Sequence, residues 1–470
     1  MTPSRPPLWK RFLRFAVFSG IVVVTLVALG LSWFSFTTRR EWAKTKAELL
    51  TRGEKLSMVE FAPPPIPDDQ NFFADSIWRP AEPPPGQPAI KETPFQLLDS
   101  LVTADELAAI RVVFPNFQPS GSSARAYAAY QLGLRLSELS PKMRPAGVTL
   151  LGRLLAPLAP VPSKIESLLA RGDARFPFDY ATLPWKMNPY PGFHEIGYTL
   201  TAFAYAALFR GDSATATLLT LDLLRMSDTL AREPLLYAQM LRISVVAQAR
   251  TLVQTGLEEH RWSDAELASL QNTLAQIDLL PGLALAYRTE RGRSNQAFEA
   301  VLLRPSKDRA DLVEQLPSGL RQAFPIYLHL FGFDDRVALN RGVQKIVDAL
   351  EAAPLNGLDP RRYRYVPAPL SQVTRVFANN FFYLLGGQVD VFAVHMTDIR
   401  QTIVACALER YRLRYGSYPG NLAELVPTYL PTIPRDVLVH EPFHYRRLSP
   451  ETFRLWAAGD SPEADLIWPN

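Results

Sequence analysis

Apolar positions along this chain fall into three regimes. The first is an unbroken run: Phe15–Thr38, FAVFSGIVVVTLVALGLSWFSFTT, is 24 residues without a charge. A helix crosses the hydrocarbon core with about 20 apolar residues, so the run predicts a membrane-spanning helix. Trp33 and Phe34 fall near one end, where aromatic rings favour the interface. The second regime, from about residue 97 to 385, has apolar residues at helical spacing. Leu219, Leu223, Met226 and Leu230 share one face of a helix that Asp212 is placed to cap. Leu241, Val245, Ala249 and Leu252 share a face of the next helix, from about Pro234 to Glu259, and the short turn between them predicts an antiparallel hairpin. TADE (Thr103–Glu106) and SDAE (Ser263–Glu266) read as capping boxes, in which Ser/Thr and Glu side chains satisfy free donors of the first turn.

The third regime is the tail. Val404, Leu408, Tyr411 and Tyr415 share a helical face, which predicts one buried stripe. Gly416 is placed to close that helix with a positive φ, and Pro419 forbids its continuation. Asn421 is placed to cap a short helix, LAELV, after which Pro427, Pro431 and Pro434 hold the chain extended. FHYRRL and FRLWAA alternate as the two strands of a hairpin with SPET at the turn.

Two stretches qualify this picture. Pro63–Pro94 is too rich in proline for helix and reads as a semi-extended spacer, although the aromatics of NFFADSIWRP favour docking on the body. Val376–Met396 is apolar but interrupted by Asn379, Asn380, Gln388 and Asp390, which are expensive in lipid; a buried helix, or a helix pair broken at Gly386–Gly387, fits better than a second span. The expected fold is therefore mainly α. A basic tail and transmembrane anchor occupy 1–40, and a charged helix and Pro-rich linker 41–96. An irregular array of helical hairpins fills 97–386, and a small α+β segment with an antiparallel hairpin 387–470. The pair after Asp212 is similar to one tetratricopeptide unit, but no period near 34 residues repeats it.

Composition narrows the function classes. Lys and Arg number 50 against 46 Asp and Glu, a net charge of +4. That excess, without a basic stripe, is no nucleic-acid footprint. Cys406 is the single cysteine, so there is neither an intrachain disulfide nor a thiolate cluster; it reads as a small buried hydrophobe. The long apolar run ending in bulky WFSF argues for an uncleaved anchor over a signal peptide, whose apolar region is about 7–15 residues. Basic residues flank the run on both sides, Arg5, Lys10, Arg11 and Arg14 before it and Arg39, Arg40, Lys44, Lys46, Arg52 and Lys55 after it, so their count does not decide the orientation. A short basic tail before an N-terminal span usually stays inside, and the expectation is a single-pass protein of the inner membrane with a periplasmic body.

Candidate chemistry is sparse. HExxH, GxSxG, GxGxxG and the P-loop do not occur. His440 and His444 are four apart, the spacing of two ligands on a helical face, but Pro442 between them argues against that helix and for polar surface. Arg288, Glu290, Arg291 and Arg293 make either an anion or peptide site or an ion-pair network. The aromatic loop Arg175–Tyr198 either lines a groove or covers the ends of helices. No catalytic residue and no cofactor is assigned.

The ordered motifs of the tail, RYGSYP, NLAELV, PRD, two strands and GDSPEADLIW, resemble the C-terminal half of the major pseudopilins of type II secretion systems over roughly the last 80 residues. The chain departs from that family at its N-terminus, where the cleaved leader and the early Glu of the mature helix are missing. It departs again in the more than 300 residues between span and tail. The whole is similar to large membrane-anchored bacterial proteins with a helical middle and this tail, a resemblance that implies architecture and no activity. The pseudopilin resemblance makes Asp460, Glu463 and Asp465 weak calcium candidates. Calcium wants 6–8 oxygens, and this loop is short and lacks the family's glycines, so the expectation is a tail closed by Trp468 without metal. The functional expectation is a cell-envelope scaffold or protein-interaction protein without its own catalysis, held to the membrane by residues 15–38, with a protein partner and no nucleic acid. The alternatives are an envelope hydrolase or peptide-processing enzyme with a dispersed site, or an accessory of a secretion or pilus-like system.

Overall fold

The computed structural model describes residues 8–78, 102–114, 125–176, 178–180, 192–303, 324–356, 358, 375–457 and 467–468. Its helices are α1 (Leu8–Thr51), α2 (Ala104–Val113), α3 (Arg125–Leu134), α4 (Arg144–Leu155), α5 (Val161–Leu169), α6 (Phe193–Arg210) and α7 (Ser213–Asp228). They continue with α8 (Leu236–Glu258), α9 (Asp264–Ala275), α10 (Leu280–Leu303), α11 (Phe324–Asn356), α12 (Val376–Leu385) and α13 (Gln388–Tyr415). Three strands follow, β1 (His444–Ser449), β2 (Thr452–Trp456) and β3 (Ile467–Trp468). The protein is mainly helical, with one N-terminal apolar helix long enough to span a membrane and a small antiparallel sheet. It divides into two compact units: residues 1–60, 288–346 and 364–387 form the first, and 61–287, 347–363 and 388–470 the second.

In the first unit, α1 runs without a break from the apolar stretch into the charged one, because nothing interrupts it before Gly53, whose φ of +77° ends the turn. Its early residues are exposed all round, Phe18, Val24 and Leu29 among them. From Ser35 onward one face is buried: Ser35, Trp42, Thr45 and Leu49 recur at steps of seven, three and four. That face packs on α11. The Phe34 and Phe331 rings lie 5.8 Å apart, the Ser35 hydroxyl donates to the His329 carbonyl at 3.3 Å, and the Arg336 guanidinium sits 4.0 Å from the Trp42 ring centre. In turn, α11 meets α10 through polar contacts: Asn295 and Asn340 exchange amide hydrogen bonds at 2.9 Å, and Arg336 bonds Asn295 and Glu299 at 2.9 and 2.6 Å. Asp335 holds the start of α12, accepting the Phe377 and Ala378 N–H groups at 2.8 and 2.7 Å, and so satisfies donors that a helix leaves free in its first turn. Gly342 is required where α12 approaches, since a Cβ there would lie 2.3 Å from the Phe382 ring.

In the second unit, α3 packs on α6, α6 on α7, α7 on α8, and α13 on both α8 and α9. Asp212 caps α7 by accepting from Thr215 N–H at 3.1 Å, and both expected capping boxes are formed. The two predicted stripes are buried, Leu219, Leu223, Met226 and Leu230 on the first helix and its turn, Leu241, Val245, Ala249 and Leu252 on α8. Each fully buried large aliphatic side chain contributes roughly 1.5–3 kcal/mol. The NFFADSIW segment does dock: Phe72, Phe73 and Trp78 are buried against Phe176 and Phe193. The second apolar run is the expected broken pair: α12 of the first unit and α13 of the second are divided at Gly386–Gly387.

In the tail, Gly416 adopts φ +78° and Asn421 forms a capping box with Glu424 on a short 3-10 turn. The predicted strands pair with Tyr445 opposite Leu455 and Arg447 opposite Phe453, and a third strand adds on the far side of β2, pairing Trp468 with Phe453. One expectation needs correction. Val404 and Leu408 are buried, but the stripe runs out before the helix does: Tyr415 is 56% exposed, its ring 4.4 Å from that of Tyr411.

Candidate functional site

A groove of about 1170 Å³ lies in the tail of the second unit. Its floor is apolar, with Ile403 from α13, Leu430 and Phe443, and the run Pro431–Pro434 forms one wall. The chain bends at Pro431 and Thr432, and the two prolines of this wall carry no amide donor. Arg400, Arg435, His440 and His444 line the groove, and the two arginines make it basic. Arg400 and Arg435 are held in place from behind: Arg400 donates to the Arg435 carbonyl at 2.8 Å, and Arg435 to the His440 carbonyl at 3.1 Å. Burial pushes the Arg400 pKa down, and Asp278 and Asp436 oppose the shift.

The turn that presents the histidines is built on Asp436. This residue is fully buried; its carboxylate accepts from Leu438 N–H at 2.7 Å and from the Thr397 hydroxyl at 3.2 Å. The turn closes with His440 N–H on the Asp436 carbonyl at 3.0 Å and puts His440 at φ +57°. The two histidines therefore sit on a turn and a strand rather than a helical face. No cluster of three or more metal-ligating side chains occurs among the described residues. Asp460, Glu463 and Asp465 lie outside the described residues, and so does Arg175–Tyr198 from 181 to 191. The near end of that loop docks through Glu233, which accepts Phe176 N–H at 3.1 Å and lies 3.3 Å from the Tyr180 hydroxyl.

β1 borders the groove through His444 and Tyr445. In the sheet order β1–β2–β3 it is an edge strand, and among the described residues nothing pairs with its outer side. An edge strand presents unpaired backbone donors and acceptors to any extended chain laid beside it.

Behind the tail lies a buried acid. Glu409 of α13 accepts from Arg412 Nη2 and Nε at 2.6 and 2.8 Å and from the Tyr418 hydroxyl at 2.7 Å, with His260 Nδ1 at 2.9 Å. Burial alone would raise its pKa; the hydrogen bonds from Arg412, His260 and Tyr418 outweigh that and hold it at about 2. Every lone-pair direction of this carboxylate is engaged, so it fastens Tyr418 and the start of the tail to α13.

In the first unit, the basic cluster on α10 has a comparable partner that sequence pattern does not reveal. Glu54, in the turn after α1, accepts from Arg288 at 3.0 Å, from Arg291, and from the Gln344 amide at 3.2 Å. Arg291 is fully buried and also donates to Gln344 at 2.7 Å. Burial raises the Glu54 pKa, but the two arginines dominate and bring it to about 2. Of the two readings of this cluster, an anion site and an ion-pair network, the geometry is that of the network. Its cationic groups already face a carboxylate of the same chain.

A second, smaller groove of about 410 Å³ lies between α3, α6 and α8. Tyr130 and Tyr198 stack there at 4.8 Å, and Gln248, almost wholly buried, has no partner for its amide nitrogen. Tyr127 and Tyr130 are one helical turn apart on α3, a spacing visible in sequence, but the third ring comes from α6 and only the fold brings it there. No protein-family model matches this chain, and no curated protein and no solved structure is significantly similar to it.

Proposed function

We propose that this is a membrane-anchored interaction protein of the cell envelope whose tail groove takes an extended, acidic segment of a protein partner. The observation that carries the reading is the juxtaposition of a basic groove with the open edge of β1. Strand addition provides backbone hydrogen bonds whatever the side chains are, and the flanking charge selects among extended segments. On this reading, Arg435, His440 and His444 favour acidic side chains along the added strand, and the apolar floor takes the alternate positions.

In this proposal α1 is the single-pass anchor in the inner membrane, the body is periplasmic, and the tail is pseudopilin-like. The uncharged span with its short basic leader supports the topology. The order of helix, Gly416 turn, short capped turn, buried Asp436, hairpin and third strand supports the tail assignment. A C-terminal reporter that works only outside the cytoplasm tests the orientation: activity is expected, and silence paired with an active cytoplasmic reporter would reverse it. The function is tested on the full chain in nanodiscs with two synthetic peptides of alternating Val and Glu, or Val and Lys. Binding of the acidic peptide is expected, weakened by salt and by Arg435→Glu with His440→Glu. Equal binding of both peptides would sink the proposal.

A further inference from the structure

The first unit is a bundle grown on the end of the span. Contacts run in register along α1 and α11: Phe34 with Phe331, Ser35 with the His329 carbonyl, Arg39 over the Phe333 ring at 5.2 Å, and Arg336 over Trp42. The two helices therefore leave the apolar stretch side by side and in the same direction. α12 starts higher: its Phe377 and Ala378 N–H groups bond Asp335, nine residues beyond Ile326 on α11, and the Tyr327 side chain reaches up to the same carboxylate.

Levels along α1 then fix levels along α11. The uncharged run ends at Thr38, and Arg39 and Arg40 follow it, where charged heads reach the headgroups. Ser35 lies three residues before that end, and at about 1.5 Å per residue it is ~4.5 Å inside it. His329 is level with Ser35, and Ile326 lies a further three residues down, so Ile326 sits ~9 Å below the last uncharged residue. At this depth the exposed side chains of the two helices include apolar ones: Ile326 is 64% exposed, and Trp33 and Phe36 of α1 are exposed as well. A depth of 5–10 Å into the headgroup and acyl boundary is that at which interfacial helices lie.

We propose that the first turn of α11 is embedded in the bilayer interface, so that the protein meets lipid through two helices rather than one. The proposal rests on α1 spanning the membrane, and the experiment separates the two. The full chain carrying Cys406→Ala is labelled with an environment-sensitive dye at one introduced cysteine, Val24→Cys, Ile326→Cys or Tyr383→Cys. It is then placed in nanodiscs of phosphatidylcholine and phosphatidylglycerol containing lipids spin-labelled near the headgroup or deep in the chain. Tyr383 is an exposed position of α12 in the same unit, next to the Phe382 that packs at Gly342. The expected pattern is quenching at 24 by the deep spin label, quenching at 326 by the shallow one, and none at 383. Quenching at 24 with none at 326 overturns the proposal and leaves the span intact. No quenching at 24 removes the span and the proposal with it. Equal quenching at 383 and 326 overturns the proposal in favour of general adsorption. Circular dichroism melting of each labelled chain confirms that the comparison is made between folded proteins.

Discussion

Each unit holds a buried glutamate at the centre of a hydrogen-bond network, Glu54 in the first and Glu409 in the second, and the two networks are assembled differently. Glu409 finds most of its partners close in sequence: Arg412 is three residues on and Tyr418 nine, with only His260 distant. Glu54 finds none nearby, since Arg288, Arg291 and Gln344 stand 234 to 290 residues away. The first arrangement is completed as its own helix and turn form. The second exists only once α1, α10 and α11 have come together, and it therefore reports on the assembled bundle. The two differ also in what their loss leaves behind. Arg291 is fully buried, whereas the Arg412 and His260 side chains are 20% and 37% exposed and can turn to water.

The largest effect is expected from Glu54→Gln. Removing one partner of a buried pair strands the other, at a cost of about 3–5 kcal/mol. Hydrogen exchange should accelerate in α10 and α11 while the tail stays protected; uniform acceleration would show that the network does not belong to the bundle alone. Glu409→Gln should cost less, about 2 kcal/mol, because its cations remain partly hydrated. Its exchange signature should fall on the end of α13 and on residues 418–430.

Acid offers a sharper version of the same comparison. Both carboxylates have folded pKa values of about 2 against 4.5 for the free side chain. A depressed folded pKa contributes stability that is present above the unfolded value and is lost as pH falls through the folded one. Each site should therefore lose up to about 3 kcal/mol between roughly pH 5 and pH 2. Denaturant midpoints at pH 7, 4 and 3 measure the loss, and Glu409→Gln should flatten it for the tail region alone. The smallest effect is expected at a cap that is local in every respect. Asn421→Ala removes the acceptor for Ala423 N–H, held at 3.0 Å, and should cost about 1 kcal/mol. A larger loss would mean that this turn supports the groove wall as well as itself.

The same contrast explains what could be read from the chain. Thr103, Ser263, Asp212 and Asn421 announce their caps because both partners lie within four residues. The leucine stripes of α7 and α8, the break at Gly386–Gly387 and the hairpin after Phe443 follow from periods of 3.6 and 2. The basic cluster on α10 was visible, but its carboxylate partner was not, since pattern carries no information about which acid a distant fold returns to it. The groove was equally hidden. Arg400, Arg435 and His440 are unremarkable as separate residues, and they converge only because a buried Asp436 folds the turn back over α13. Tyr415 was misplaced because helical phase predicts a face and says nothing about where the neighbouring helix stops.

The continuity of α1 has a mechanical consequence. At 44 residues, with no proline, it is a rod about 66 Å long that passes from the apolar stretch into the bundle without a hinge. A body on a slack tether would sample every heading and could swing towards its target. A bundle clamped on this rod instead inherits the heading of the apolar stretch: any tilt or rotation imposed on that end is delivered to the helices packed around the other.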